Sequence, residues 1–191
     1  MAYNFLYSLS SQYLKLVSKL NSSEEPVDVF SSLAQAKHTL ICLPDKLEDF
    51  GIARNFTPTL RDKFSHSKIT FLVKQNYLNL LNKVDRENCY ILSLNPEDIT
   101  RFGLPMKQVI ATIKKMNFDL AIDLNYEFNL TSTYICFISG ANLRICLENK
   151  NRDPFFNFQV RTRLEDSIES KFRSFIKYFT ISIQSNTNKS L

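Results

Sequence analysis

The stretch "KKMNFDLAIDLNYE", Lys114 to Glu127, decides the fold. A basic helix end, Lys114–Lys115, runs through Asn117 into the short apolar segment "DLAIDLN" (119–125). That segment reads as a strand, and it stops on polar residues, Asn125, Tyr126 and Glu127. Just ahead of it, "LPMKQVIATIKKMN" (104–117) sets Val109, Ile110, Ile113 and Met116 on one helical face, with Pro105 placed for the first turn. A helix feeding an apolar strand is part of a βαβ unit, and its polar strand end is where such proteins hold ligands.

The same alternation extends in both directions. Upstream, "HTLICLP" (38–44), "KITFLVK" (68–74) and "CYILSLN" (89–95) read as strands, and downstream "NLRICLEN" (142–149) reads as a fifth. All are continuous apolar runs, the pattern of strands covered on both faces. Between them lie helical stretches: "FGIARNFTPTLRDKFS" (50–65), with Pro58 inside it, "NYLNLLNKV" (76–84), and "FNLTSTYICFISG" (128–140), ending at Gly140. "RDPFFNFQVR" (152–161) reads as an aromatic loop. A last helix of about 15 residues turns Leu164, Ile168, Phe172, Phe175, Ile176 and Phe179 one way, its acids early and bases late, as the helix dipole favours. At the other end, Phe5, Leu9, Tyr13, Leu16, Val17 and Leu20 have helical spacing, and a short second helix near Pro26 points Phe30, Leu33 and Ala34 inward. The expectation is an α/β fold, a Rossmann-like doubly wound parallel sheet of about five strands with helices on both faces. Residues 1–36 form an N-terminal helical extension, 37–180 the Rossmann-like domain and 181–191 a flexible tail.

Composition bounds the function. The chain has 191 residues and a net charge of +5, but its 24 Lys and Arg are spread without a basic run, which argues against a nucleic-acid role. No segment is apolar enough over about 18 residues to span a membrane. The first 20 residues lack the features of a secretory signal, so a cytoplasmic protein is expected, with peripheral membrane contact through Lys15 and Lys19 as an alternative. Cys42, Cys89, Cys136 and Cys146 have no metal-ligand spacing, and neither a metal nor a cofactor is expected.

Ligands of open α/β sheets bind outside the carboxyl ends of the strands. That rule selects Asp45, Lys46, Glu48 and Asp49 after the first strand, Lys74 and Gln75 after the second, and Asn95, Glu97 and Asp98 after the third. After the fourth it selects Asn125, Tyr126 and Glu127, and after the fifth Glu148, Asn149 and Lys150. With three glycines, the chain has neither GxGxxG nor GxxxxGK[ST], so phosphate is not cradled by either familiar loop. His38 and His66 fall at the amino end of the sheet, away from any such site. Asp49 is the catalytic candidate, either a general base acting on a sugar hydroxyl or, with Glu48, a charge that steadies a helix N-terminus. Asp123 lies within its strand, where it marks the strand's exit from the core. Phe155–Phe156 either clasps a ligand or plugs a sheet end.

The run "TLICLPDKLEDFGIARNFTPTLRDKFSHSKITFLVK" resembles the opening of glycosyltransferase family 9, the lipopolysaccharide heptosyltransferases. Glu48-Asp49 stands at that family's Gly-Asp, and Pro58-Thr59-Leu60 at its Pro-x-Leu. "NFDLAIDLN" and "ISGANLRICLENKNRDPFFN" resemble two further strands of the family, so the likeness covers about residues 38–161. It implies one lobe of a two-lobe enzyme, the acceptor-binding N-terminal lobe, with Asp49 at the position of the proposed catalytic base. The chain departs at Glu48 and Cys146, both glycine in the family pattern, and in a longer Asp49-to-Pro58 spacing. The nucleotide-sugar lobe is expected to lie outside this sequence. The expected function is a heptosyltransferase-like lobe without independent catalysis, a binding or scaffolding module. The alternative is the acceptor half of a split enzyme whose second lobe comes from another protein or a second copy. The expected ligands are a glycan or a nucleotide-sugar.

Overall fold

The computed structural model describes residues 27–81, 86, 88–163 and 165–187, together with Gln12 and Leu14. The helices are α1 (Val29–Gln35), α2 (Leu47–Arg54), α3 (Thr57–Lys63), α4 (Lys107–Met116), α5 (Leu130–Ile138) and α6 (Ile168–Thr187). The strands are β1 (His38–Cys42), β2 (Lys68–Lys74), β3 (Cys89–Leu94), β4 (Leu120–Asp123), β5 (Leu143–Leu147) and β6 (Phe158–Val160). They form one parallel sheet in the order β3-β2-β1-β4-β5-β6. The order reverses between β1 and β4, and there the chain leaves neighbouring strands in opposite directions, opening a crevice at their carboxyl ends.

Both faces of the sheet are buried, as the unbroken apolar strands imply. On one face, Ile41, Phe71, Ile122 and Ile145 meet Leu33 of α1, Phe50 and Ala53 of α2, Leu60 of α3 and Phe172, Phe175 and Phe179 of α6. On the other, Leu40, Cys42, Ala121 and Cys146 meet Val109 and Ile113 of α4 and Leu130, Ile135 and Cys136 of α5.

Several elements differ from the sequence expectation, each for a local reason. Pro58 lies not inside one helix but in the first turn of a second, so 50–65 divides into α2 and α3 at Asn55–Phe56. Pro105 precedes α4 and takes part in an antiparallel bridge with Ile99. The aromatic loop contains a sixth strand, β6, whose three residues pair with β5. Gln75–Leu80 is 3-10 helix rather than α-helix, and residues 82–85 lie outside the described set. Phe30 is 43% exposed and does not point inward, whereas Leu33 does. The helix expected over 5–20 also lies outside the described residues except for Gln12 and Leu14, both helical, with Leu14 buried on the α4–α5 face.

The amino end of the sheet is fastened by side chains. Asp119 accepts from the backbone N–H groups of Lys37 and His38, at 2.9 Å each. The ring of His38 hydrogen bonds the Met116 carbonyl at 2.9 Å and the Thr70 hydroxyl at 3.0 Å, and its burial lowers its pKa. Both histidines sit far from the crevice. Asn117, at φ 52°, ends α4 in the left-handed region, and Gly140, at φ 84°, follows α5.

Candidate functional site

The crevice between β1 and β4 is walled by the segments that leave those strands, Leu43–Lys46 and Leu124–Asn129. Their polar groups are spent on one another. Asp45 donates its backbone N–H to Asn125 Oδ1 at 2.9 Å, and its Oδ2 accepts from Asn129 Nδ2 at 2.7 Å. Lys74, at the end of β2, pairs with Asp45 Oδ2 at 3.2 Å and also donates to the Asp45 carbonyl, as does the Tyr77 hydroxyl at 2.8 Å. Above them Lys46 Nζ meets Glu127 Oε1 at 2.6 Å across the crevice, both side chains more than half exposed.

Beneath this layer lies a buried charge. Asp123, the last residue of β4, is fully enclosed. Its carboxylate accepts from the backbone and amide of Asn125, at 3.0 and 2.8 Å, and from the Ser132 hydroxyl at 2.9 Å. The Arg152 guanidinium, also fully enclosed, lies 3.8 Å from it. Arg152 also donates to the carbonyls of Asn125 and Glu127, so it ties the loop after β5 to the loop after β4. Both charges are thus compensated, which burial requires.

Asp49 behaves differently. It sits in the first turn of α2 and is 4% exposed, yet its carboxylate takes part in no hydrogen bond. Burial removes part of its hydration and raises its pKa from the ordinary value. Lys46 opposes that rise, and Glu127 and Glu48 add to it. The carboxyl group at the mouth of the switch point therefore shares a field with the Lys46–Glu127 pair. A carboxylate that is desolvated and without hydrogen-bond donors is suited to accept a proton, the property a general base needs.

Of the other residues selected from sequence, Glu48 is exposed in the first turn of α2. Tyr126 turns away to the α6 side, where Lys171 donates to its hydroxyl at 2.9 Å. Asn95 lies across the sheet and is held by Asp98, which accepts from its backbone and amide nitrogens at 2.8 and 3.1 Å. With Lys74, it lines a cleft of about 340 Å³ beyond the ends of β2 and β3. Phe155 and Phe156 are buried in the α4–α5 face, Phe155 edge-on to Phe137 at 5.7 Å, so neither clasps a ligand. Sequence reading did not select Tyr77, Asn129, Ser132, Arg152 or Lys171. Asn129 was findable, because it stands just before an apolar helix and caps it. Lys171 was findable as a cation beside the apolar stripe of α6, whereas nothing in the sequence marks Arg152 as buried. Among the described residues no group of three His, Cys, Asp or Glu side chains is placed to hold a metal. No described helix is long and apolar enough to cross a membrane.

Comparison with protein-family models and with curated proteins gives no match. Solved structures do match. A glycosyl transferase family 9 protein from Veillonella parvula DSM 2008 superposes with a TM-score of 0.54 at 14% identity, over 75% of this chain and 42% of that one. The ADP-heptose LPS heptosyltransferase II of E. coli superposes with a TM-score of 0.49 at 16% identity, over 64% of this chain and 34% of that one. The chain thus spans less than half the length of either structure. What the chain shares with the Veillonella parvula protein is the fold, a Rossmann-like parallel sheet with helices on both faces.

Proposed function

We propose that this lobe is a heptosyltransferase-like binding or scaffolding module that does not transfer a sugar by itself. The observation that carries the reading is the self-satisfied crevice. Asp45, Lys46, Lys74, Asn125 and Glu127 are engaged with one another, so a ligand entering between β1 and β4 must first displace their mutual contacts. Glycosyl transfer also needs donor and acceptor held together in a closed, water-poor site. A single sheet with its flanking helices supplies one wall of such a site. The test is calorimetry with ADP-heptose and other nucleotide-sugars, with nucleotide release followed in parallel and Asp49→Ala as control. The expected result is no turnover. Nucleotide release that depends on Asp49 would overturn the proposal.

A second reading, the acceptor half of a partnered glycosyltransferase, is favoured by Asp49 itself. Its carboxylate stands at the crevice mouth with its pKa raised by burial and with no hydrogen bond holding it, so it is available to accept a proton. Under that reading, turnover appears only when a second lobe is added, and Asp49→Asn abolishes it.

A further inference from the structure

The cleft of about 340 Å³ beyond β2 and β3 is built from different chemistry than the crevice. Its size falls near the lower end of the range for ligand pockets, room for one ring and not for a dinucleotide. Leu94, Pro96 and Ile99 give it an apolar side. Lys74 and the Asn76 and Asn95 amides give it a polar one. The Asn76 amide takes part in no hydrogen bond, while Asn95 is held in place by Asp98.

Charge decides the kind of ligand. Lys74 is the cation among these lining residues, and Asp45 compensates it at 3.2 Å. Asp98, which follows the lining residue Asn95, is occupied in accepting from that residue's nitrogens. An anion entering here would meet a lysine already paired with Asp45, and the lining residues offer no positive surplus to offset its desolvation. A neutral ligand meets no such barrier. Hydroxyl groups both donate and accept, which matches the free amide of Asn76 and the remaining N–H of Lys74. A C–H face matches Leu94, Pro96 and Ile99.

We propose that this cleft binds a single neutral sugar ring, a pyranose carrying no phosphate or carboxylate. The proposal rests on the glycosyltransferase-like reading above and names the ligand class of the β2–β3 side of that lobe. It divides the lobe into a β2–β3 subsite for an uncharged ring and a β1/β4 crevice around Asp49.

The experiment is an NMR titration of the isotope-labelled whole chain with methyl glycosides of glucose, mannose and galactose, and separately with inorganic phosphate and ADP. The expected result is saturable shifts of the backbone amides of Lys74–Asn76 and Asn95–Ile99 with at least one neutral glycoside. Asn76→Ala, at an exposed position, weakens that response about five- to tenfold, the scale of one lost hydrogen bond. Asp49→Asn leaves it unchanged. Phosphate or ADP shifting the same amides at lower concentration than every glycoside would overturn the proposal, as would silence of those amides with all three sugars. Glycoside shifts confined to Lys46, Asp49 and Glu127 would also overturn it while leaving the glycosyltransferase-like reading standing. Sugar turnover by the chain alone would overturn the proposed lack of catalysis without touching the cleft's preference.

Discussion

Asp49 is held closer to neutrality than water would hold it, and that has a thermodynamic sign. Its folded pKa lies above the ordinary value of 3.8. Between those two values the native state keeps a proton that the unfolded state has released. Stability from this group therefore falls as pH rises through that window and stays at its lower level above it. Asp49→Asn should remove that fall, flattening the urea midpoint against pH and raising it at neutral pH. The neighbours supply a second check. Glu127→Gln removes a charge that raises the Asp49 pKa and should lower it, whereas Lys46→Met should raise it, both readable by carboxyl NMR. Arg152 belongs to the opposite class, a buried charge paired with Asp123 and with loop carbonyls. Arg152→Met should cost about 3–5 kcal/mol in urea unfolding, because it strands Asp123. Adding Asp123→Leu should recover part of that loss.

The elements show where sequence was informative. The five strands with continuous apolar runs were legible because burial on both faces leaves an unbroken signature. β6 was not, since its three residues, Phe158 to Val160, are too few for a period and are strand only through β5. The Pro58 break was visible as a conflict, yet its resolution into two helices depends on tertiary packing of Leu60 and Phe50. The rule that ligands gather at carboxyl strand ends selected Asp45, Lys46, Lys74 and Asn125, which the fold does bring into contact. It could not tell that they would satisfy one another, because that depends on distances of 2.6 to 3.2 Å between residues some 30 to 80 positions apart. Arg152 was invisible for the same reason, as a loop arginine whose burial depends on packing. At the level of a single helix, Asp28 caps α1 by accepting from the backbone N–H groups of Phe30 and Ser31. Asp28→Ala should lower stability by about 1 kcal/mol in chemical denaturation.

The whole molecule has unequal sheet edges. β6 is three residues long, whereas β3 is six, and its sequence "CYILSL" carries no charge. Among the described residues, this uncharged edge strand, with Tyr90 51% exposed, has little to stop it pairing with another chain. Tyr90→Lys should raise the temperature at which light scattering begins, with little change in the unfolding midpoint. The cysteines mark the opposite extreme of exposure. Cys42 and Cys146 occupy the row β1–β4–β5 on either side of Asp123, and Cys136 of α5 approaches Cys42, sulfur to sulfur, at 3.6 Å. All three are wholly enclosed, whereas Cys89 on the edge is partly open. A thiol reagent therefore finds a built-in clock. Cys89 should label at once, and the other three only when the α5 layer lifts from the sheet, so the interval between the two phases times the opening of the floor under the crevice.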